Sequence, residues 1–335
     1  MKAVAVVIEV GNNCINRPVP VTVQHVATVT CGQELRIEMR LSWPGFAIWA
    51  DANFVCLICS HNRTVPRDRR VNGWSRPAAM VSGTIADMDL QLSGKRVIVT
   101  GASKGIGFAI ARAFLVEGAE VAICARNADD LATAAADLST SGTLHQRVAD
   151  MGMKGEPADF VEWAAGQMGG LDIVVSNVSA MAGPDWEMSC AVDLIGMDAL
   201  VRASLERMND HAGCNVICIG SRAASVAAPR IAAYAGVKAA TISAMKTLSR
   251  EVARRGIRAN VVSPGDIIFE GGVWGRAQEE NGKLWQAIVK ENPFRRLGTP
   301  EEVADVVAFI ASPRSSFVTG ANILVDGGAT SGLQI

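Results

Sequence analysis

One tyrosine and one lysine in this chain have the types and the spacing of an acid–base pair. Tyr234, the only tyrosine of the chain, begins a strongly helical segment, and Lys238 follows four residues later. This spacing places both side chains on one helix face, one turn apart. A neighbouring ammonium favours the phenolate, as a proton-transfer group near neutral pH requires. Ser221, just after the apolar run NVICIG, can hold a carbonyl or hydroxyl oxygen beside the phenol.

A glycine-rich turn supplies a second kind of chemistry. The run TGASKGIG joins an apolar, β-branched segment to a helical one. Gly101 permits the tight turn, Gly105 lets the backbone approach a pyrophosphate, and Gly107 lets helix and strand pack closely. The N–H groups at the start of the helix then bind the phosphates. We therefore expect a dinucleotide to contact Gly101, Ser103, Lys104, Gly105, Ile106 and Gly107.

The end of the second predicted strand indicates which dinucleotide binds. NAD-preferring sites place an acid there for the ribose hydroxyls, whereas the run VAICARN has Ala125 followed by Arg126. Lys104, inside the glycine turn, adds a second cation. Two cations without a carboxylate suit a 2′-phosphate, so we expect NADP(H) in preference to NAD(H). The alternative is that Arg126 is a solvated surface side chain.

Strand and helix patterns alternate from residue 92 to the C-terminus. This alternation specifies a parallel sheet covered by helices on both faces, that is, an α/β fold of the doubly wound, Rossmann type in a single domain. Short, apolar, β-branched runs predict the strands, and amphipathic runs predict the helices. The predicted strands are 95–100, 120–125, 144–149, 172–176, 215–220, 258–263 and 322–325, and the predicted helices are 106–117, 128–139, 157–168, 186–208, 232–254 and 300–311.

The chain changes character near residue 88. Before it, little sustained period is visible, although 4–10 and 20–29 have strand-like composition. Met88 opens a run typical of a protein start. We expect residues 1–87 to be an N-terminal extension, either a disordered or mis-assigned leader or a small accessory domain. Residues 88–335 are then the dinucleotide-binding catalytic domain.

Composition limits the classes of partner. The net charge of −1 gives no electrostatic reason to expect nucleic acid or an anionic membrane surface. No apolar run is long enough for a membrane-spanning helix. Cys56 and Cys59 lack a second, well-spaced pair, so we expect no metal. Other cysteines lie in apolar segments and indicate buried thiols of a cytoplasmic protein; these are Cys124, Cys190, Cys214 and Cys218.

From about residue 90 to 330 the chain resembles the short-chain dehydrogenase/reductase family, in particular its 3-oxoacyl-reductase branch. The shared runs occur in family order: TGASKGIG, LDIVVSN, IGS, YAGVK, RANVVSPG and VDGG. The resemblance implies that Tyr234 is the acid/base, that Lys238 assists it and binds the nicotinamide ribose, and that Ser221 polarises the substrate oxygen. It also implies that Asp150 meets the adenine, and that Asn177, Pro264, Gly265 and Ile267 contact the cofactor together with Tyr234 and Lys238.

Three positions depart from the family pattern. The Asn-Asn-Ala-Gly motif reads SNVS at 176–179, which places side chains beside the cofactor. The helix asparagine that completes the family's catalytic tetrad is Asp193, which accepts hydrogen bonds but has no amide to donate. The threonine that follows the Pro-Gly turn is Phe269, which removes a hydroxyl contact. These changes bear on rate and cofactor geometry more than on reaction type.

The sequence therefore predicts an NADP(H)-dependent oxidoreductase that interconverts a ketone, such as a 3-oxoacyl thioester, and a secondary alcohol by hydride transfer. Its catalytic candidates are Ser221, Tyr234, Lys238 and Asp193. The alternative is an NADP(H)-binding sensor or scaffold whose chemistry is weakened by the departures. Retention of the serine, tyrosine and lysine at family spacing favours the enzyme.

Substrate contacts and assembly follow from the remaining segments. Residues 266–293 are expected to form a substrate lid with glycine hinges. Trp274 and Trp285 either cover an apolar substrate or pack in a core or subunit interface. Small apolar residues on the two long predicted helices indicate a homotetramer or homodimer. The pocket is expected to include Met181, Trp186 and Arg222.

Overall fold

The computed structural model describes residues 88–209 and 213–332, together with the backbone of three earlier strands. The chain divides into two units, Met1–Ser82 and Gly83–Ile335. The predicted strands at 4–10 and 20–29 lie outside the described residues. The three strands that are described in the first unit were not predicted. They form an antiparallel sheet in the order β1 (Arg36–Met39), β2 (Phe46–Asp51) and β3 (Phe54–Cys59).

The second unit contains a seven-stranded parallel sheet. Its strands are β4 (Arg96–Thr100), β5 (Glu120–Ala125), β6 (Leu144–Val148), β7 (Ile173–Ser176), β8 (Asn215–Ile219), β9 (Arg258–Pro264) and β10 (Asn322–Val325). Across the sheet the order is β10-β9-β8-β7-β4-β5-β6. The strand order therefore reverses between β4 and β7, which confirms the predicted doubly wound, Rossmann-type fold.

Helices cover both faces of this sheet, as its apolar strands require. One buried cluster joins the strands to α1, α2 and α9, and a second joins them to α3, α5 and α6. The helices are α1 (Gly105–Val116), α2 (Ala128–Leu138), α3 (Glu156–Met168), α4 (Trp186–Cys190), α5 (Met197–Arg207), α6 (Ala232–Glu251), α7 (Val273–Glu280), α8 (Gly282–Glu291) and α9 (Pro300–Ala311).

The long helix predicted at 186–208 is not a continuous α-helix. A π-helical segment, Ala191–Gly196, separates α4 from α5. A side chain at Gly196 would overlap the carbonyl oxygen of Met151, so glycine lets this segment pack against the loop after β6. The apolar period of an α-helix does not reveal such a π turn, because it adds a single residue to one turn. Asp193 therefore lies on a π-helical segment and not on a regular α-helix.

Burial of the thiols largely follows the sequence. Cys124, Cys214 and Cys218 are buried, and burial raises the pKa of Cys124 and of Cys218 to about 12. Cys190, expected to be buried, is only half-buried because it ends the short α4 at the surface. Within the described residues, no helix combines the length and the apolar character needed to cross a lipid bilayer.

Candidate active site

Asn177 holds together the two strands between which the strand order reverses. It directly follows β7, and its amide nitrogen donates to the carbonyl oxygens of Thr100 at 3.0 Å and Gly101 at 3.1 Å. Its backbone N–H donates to the Thr100 hydroxyl at 3.0 Å. Asn177 therefore fixes the start of the glycine turn at the carboxyl edge of the sheet, where doubly wound proteins bind ligands. Its contact with a cofactor stays a prediction.

The glycines of the turn have two separate structural requirements. Gly101 and Gly105 have φ angles of +65° and +58°, in the left-handed region that glycine adopts without strain. Gly107 is required for close packing instead. A side chain there would overlap the carbonyl oxygen of Gly101 and the amide nitrogen of Asn177. The turn therefore depends on its glycines both for backbone conformation and for the approach of α1 to β4.

The N-terminus of α1 is suited to an anion. This helix is described in full, and it has neither a side-chain cap nor an acidic residue in its first turn. Lys104 at the N-cap position is extended and its side chain is exposed. Ile106 packs its side chain on the buried core, and Ser103 is half-buried. The uncapped N–H groups and the helix dipole fit a pyrophosphate.

Two exposed cations lie at the predicted nucleotide end. Arg126 directly follows β5, and Lys104 lies in the glycine turn. The Lys104 ammonium is 4.0 Å from the Asp130 carboxylate, and both side chains are more than half exposed. Asp130 was not among the predicted site residues, although Asn127 caps α2 and thereby places this carboxylate in the first helical turn. The exposed Asp130 carboxylate therefore competes with a 2′-phosphate for the ammonium of Lys104.

Asp150, Pro264, Gly265 and Ile267 also lie at the carboxyl edge of the sheet. Asp150 follows β6 and accepts a hydrogen bond from the Gly152 N–H at 2.9 Å. Gly265 donates from its backbone to Val325 at 2.9 Å, at the end of β9. A parallel bridge pairs Ile267 with Gly298 through the neighbouring Asp266 carbonyl and Ile268 N–H. The backbone groups of Ile267 itself take no part in those two bonds, and its contact with a cofactor stays a prediction.

The Phe269 ring lies against the glycine turn, a contact that was not predicted from the sequence. A Cβ atom built on Gly105 would lie 2.7 Å from two carbons of the Phe269 ring, and one on Gly272 would lie 2.8 Å from the same ring. The ring therefore packs between the second glycine of the turn and the start of the predicted lid. A pyrophosphate that approaches Gly105 from this side requires the ring to turn away.

Lys238 lies close to Tyr234 on α6 and to the end of β8, which leads into Ser221. Lys238 is buried, and its ammonium donates to the Ile219 carbonyl at 3.0 Å, two residues before Ser221. The same ammonium lies 5.8 Å from the centroid of the half-buried Tyr234 ring. The Ser221 hydroxyl accepts from the Ala223 N–H at 3.1 Å, so its proton is left to donate to a substrate oxygen.

Asp193 belongs to this group as an ion-pair partner. Its carboxylate lies 3.0 Å from the Lys238 ammonium, with 1% of the Asp193 side chain and 4% of the Lys238 side chain exposed. The other carboxylate oxygen accepts from the Ala180 N–H at 3.0 Å. Burial acts to lower the pKa of Lys238, but the adjacent Tyr234 and Asp193 outweigh it and raise this pKa. Lys238 is therefore a buried group whose charged form is favoured near neutral pH.

A charged cluster links the serine turn to the predicted lid. Arg222, next to Ser221, contacts the Asp266 carboxylate at 3.0 Å and the Glu291 carboxylate of α8 at 3.5 Å. Burial raises the pKa of Asp266 and nearby Glu291 adds to this, whereas Arg222 and a hydrogen bond from Trp274 act against it. Arg222 is therefore paired with two acids. The salt bridges of Arg222 therefore tie the predicted lid to the turn that carries Ser221.

The other predicted pocket residues are more exposed. Trp186 on α4 packs against Gly236 on α6, where a Cβ atom would lie 2.8 Å from the indole ring. More than half of Trp186 remains exposed, as does more than half of Met181. Trp285 of α8 is half-buried. Trp186 and Met181 are therefore largely open to solvent in the part of the chain that the structure describes.

Known proteins match this part of the chain. The family described as enoyl-(acyl carrier protein) reductase matches residues 101–330. Isoepoxydon dehydrogenase patN of Penicillium expansum is 34% identical over 255 residues, which cover 72% of this chain and 97% of that protein. The 3-oxoacyl-[acyl-carrier-protein] reductase FabG of Chlamydia pneumoniae is 32% identical over 252 residues, 72% of this chain and all of that protein.

Solved structures give the same result. An active-site complex of Pseudomonas aeruginosa RhlG with NADP matches with a TM-score of 0.68 and 29% sequence identity. The match covers 72% of this chain and 98% of that one. The similarity therefore extends over the whole length of the matched proteins.

Proposed function

Because the chain belongs to the short-chain dehydrogenase/reductase family, we propose that it interconverts a ketone and a secondary alcohol with Tyr234 as the acid/base. One observation carries this proposal: the only tyrosine of the chain lies beside a buried, charged lysine that is hydrogen-bonded next to the serine turn. A surface Tyr-Lys pair would have no reason to bury its ammonium against a strand end.

The chemistry assigns a separate task to each side chain. A bound nicotinamide supplies or accepts the hydride. During reduction the Tyr234 hydroxyl gives its proton to the carbonyl oxygen, and the phenolate is reprotonated from solvent. Ser221 donates a hydrogen bond to the same oxygen and holds the carbonyl carbon in place. Lys238 binds the nicotinamide ribose in this proposal, through the donor of its ammonium that the Ile219 carbonyl and Asp193 do not use.

We propose NADP(H) as the cofactor, in preference to NAD(H). The glycine turn and the uncapped N-terminus of α1 fit the pyrophosphate, and Lys104 and Arg126 fit a 2′-phosphate. The similarity to RhlG, which was solved with NADP, supports the same choice. Measured Michaelis constants for NADPH and NADH test it: a lower constant for NADH contradicts the assignment.

We propose 3-oxoacyl thioesters as one substrate class, because a reductase for such a substrate is among the similar proteins. A homo-oligomer, a tetramer or a dimer, is proposed as the working form. Large apolar side chains on α4 and the π segment are exposed and support self-association: Trp186, Met188 and Ile195. Light scattering of the full chain measures the mass of the assembly. A mass equal to one chain contradicts this part of the proposal.

The decisive experiment follows NADPH absorbance with acetoacetyl-coenzyme A and a panel of ketones, in the full chain and in Tyr234→Phe. We expect the substitution to lower kcat by about 100- to 10,000-fold, which is what a positioned acid contributes. NADPH binding and the melting temperature should change little, because only a hydroxyl is removed. Activity that survives the change would show that another group is the acid. Tight NADPH binding without turnover on any substrate would favour the sensor or scaffold alternative.

A further inference from the structure

A carboxylate lies in the catalytic centre where the family resemblance implies an amide. Asp193 is buried and is held at both ends of its side chain, by the Lys238 ammonium at 3.0 Å and by the Ala180 N–H at 3.0 Å. Its backbone carbonyl also accepts from the Thr241 hydroxyl at 3.4 Å, one turn after Lys238 on α6. The π segment that carries Asp193 therefore presents the carboxylate to the lysine in a fixed geometry.

Among the charged groups around Lys238, the Asp193 carboxylate is the acid in direct contact with its ammonium. On α6 the nearest titratable group is Tyr234, and on β8 it is the Cys218 thiol, which burial keeps protonated with a pKa of about 12. Arg222, on the neighbouring turn, is paired with two acids of its own. Cys190 of α4 is half-buried. The other ionisable groups on α6 and on the described elements packed against it are exposed or lie at the opposite edge of the sheet: Asp185, Glu187, Arg230, Lys246, Arg250, Glu251, Arg254, Arg255 and Arg258.

The electrostatic consequence follows from this arrangement. A single buried ammonium beside a phenol favours the phenolate, because opposite charges attract strongly where water is excluded. A carboxylate in contact with that ammonium makes a pair with no net charge. The field of the pair at the phenol is much weaker, because the anion opposes the cation. With an amide at this position the ammonium would act on the phenol without opposition.

We propose that Asp193 is a positioning residue that offsets the charge of Lys238 and keeps Tyr234 protonated, which suits the site to carbonyl reduction. This inference rests on the proposed function, because it assumes that Tyr234 is the acid. Reduction consumes a phenolic proton, and alcohol oxidation requires a phenolate to accept one. An enzyme whose phenol stays protonated to higher pH keeps its reductive form over a wider range than one with an amide at this position.

The chain offers a direct test, because Tyr234 is its only tyrosine. The phenolate has its own ultraviolet difference band, so a pH titration of the full chain without cofactor or substrate reports this one side chain. We expect the midpoint for the unmodified chain to lie about one to two pH units above that for Asp193→Asn. Equal midpoints, or a higher midpoint in Asp193→Asn, would overturn the proposal.

Controls separate charge from structure. Tyr234→Phe must abolish the band, which assigns it. Thr241→Val removes the other side-chain tie between α6 and the π segment without changing charge, and its midpoint should match that of the unmodified chain. A midpoint in Thr241→Val as low as in Asp193→Asn would mean that packing sets the value. Circular dichroism defines the pH range in which each variant is folded, and Asp193→Ser replaces Asp193→Asn if the latter does not fold.

A kinetic measurement adds a second readout. With NADPH and acetoacetyl-coenzyme A, the reductive kcat of Asp193→Asn should begin to fall at a lower pH than that of the unmodified chain, by the shift that the titration gives. A fall at the same pH in both would contradict the proposal. Absence of turnover in both would count against the proposed function alone, since the titration needs neither substrate nor cofactor.

Discussion

The catalytic end and the nucleotide end of the site differ in how deeply their charged side chains are buried. At the catalytic end, Lys238 and Asp193 are almost fully buried and lie 3.0 Å apart. At the nucleotide end, Lys104 is more than half exposed and its nearest acid, Asp130, is 4.0 Å away. Buried charges interact strongly and tolerate little change, whereas exposed charges are screened by water and salt. We therefore expect the reaction type to depend on the buried charges of the catalytic end. The choice of cofactor should depend on the exposed charges of the nucleotide end.

The largest effect that tests this contrast is expected for Lys238→Met. The substitution leaves the Asp193 carboxylate buried without its cation, so the free energy of unfolding should fall by ~3–5 kcal/mol. Activity should be lost as well. Urea denaturation measures the change. A variant as stable as the unmodified chain would mean that the buried end is as adaptable as the exposed one.

The double variant Lys238→Met with Asp193→Asn provides the matched control. Because it removes both charges, most of the lost stability should return. If the two substitutions instead destabilise additively, the ion pair is not the source of the loss, since independent sites add and coupled sites do not.

A smaller loss of stability is expected at the glycine turn, which is tightly packed although it belongs to the nucleotide end. Gly107→Ala places a methyl group against the Gly101 carbonyl and the Asn177 amide. Such overpacking costs ~1–3 kcal/mol of stability. We also expect NADPH binding, measured by fluorescence, to weaken at least about tenfold, because a 1.4 kcal/mol loss from the distorted turn corresponds to that factor.

Gly166→Ala is the control for this substitution. Gly166 lies inside α3 with open space around it, so alanine should raise stability by ~0.5–1 kcal/mol. NADPH binding should not change. Equal losses in both variants would show that the glycine turn has no special packing requirement.

The smallest effect is expected for Arg126→Ser. Exposed charge pairs contribute ~0.2–1 kcal/mol, so the Michaelis constant for NADPH should rise about 1.4- to fivefold, and that for NADH should stay the same. Added salt should reduce the difference between this variant and the unmodified chain. Arg202→Ser removes the same charge from the exposed surface of α5 and should leave both constants unchanged. A change larger than that of Gly107→Ala would reverse the contrast between the two ends.

Most of the fold was predictable because its signals are local. Runs such as Glu120–Ala125 and Pro300–Ala311 are bounded by turn residues and caps, so the predicted and observed limits coincide. The segment predicted as one helix over 186–208 is helical up to Arg207, but the π segment within it was not predicted because a π turn leaves the apolar period almost intact. The lid helices α7 and α8 were not predicted as helices. Within these two helices only Gly275, Ala277 and Ile288 are buried, so few core positions mark them, although the apolar residues of α8 lie on one face.

The site was predictable where spacing alone fixes geometry. The four-residue interval from Tyr234 to Lys238 puts both on one helix face, and the structure gives that arrangement. Contacts between distant segments were not predictable in the same way. The approach of Asp193 to Lys238 joins residues 45 positions apart through the π segment. The link from Arg222 to Glu291 spans 69 positions, and no local pattern encodes it.

The ring of Phe269 has a thermodynamic consequence for any ligand of the glycine turn. Only those copies of the protein in which the Phe269 ring has turned away from Gly105 can bind a ligand on that side of the glycine turn. The observed dissociation constant is then the intrinsic constant divided by the competent fraction, so the cost of displacing the aromatic group is subtracted from every measured affinity. Replacing the ring with a smaller side chain would return that free energy to the complex without creating a single new contact.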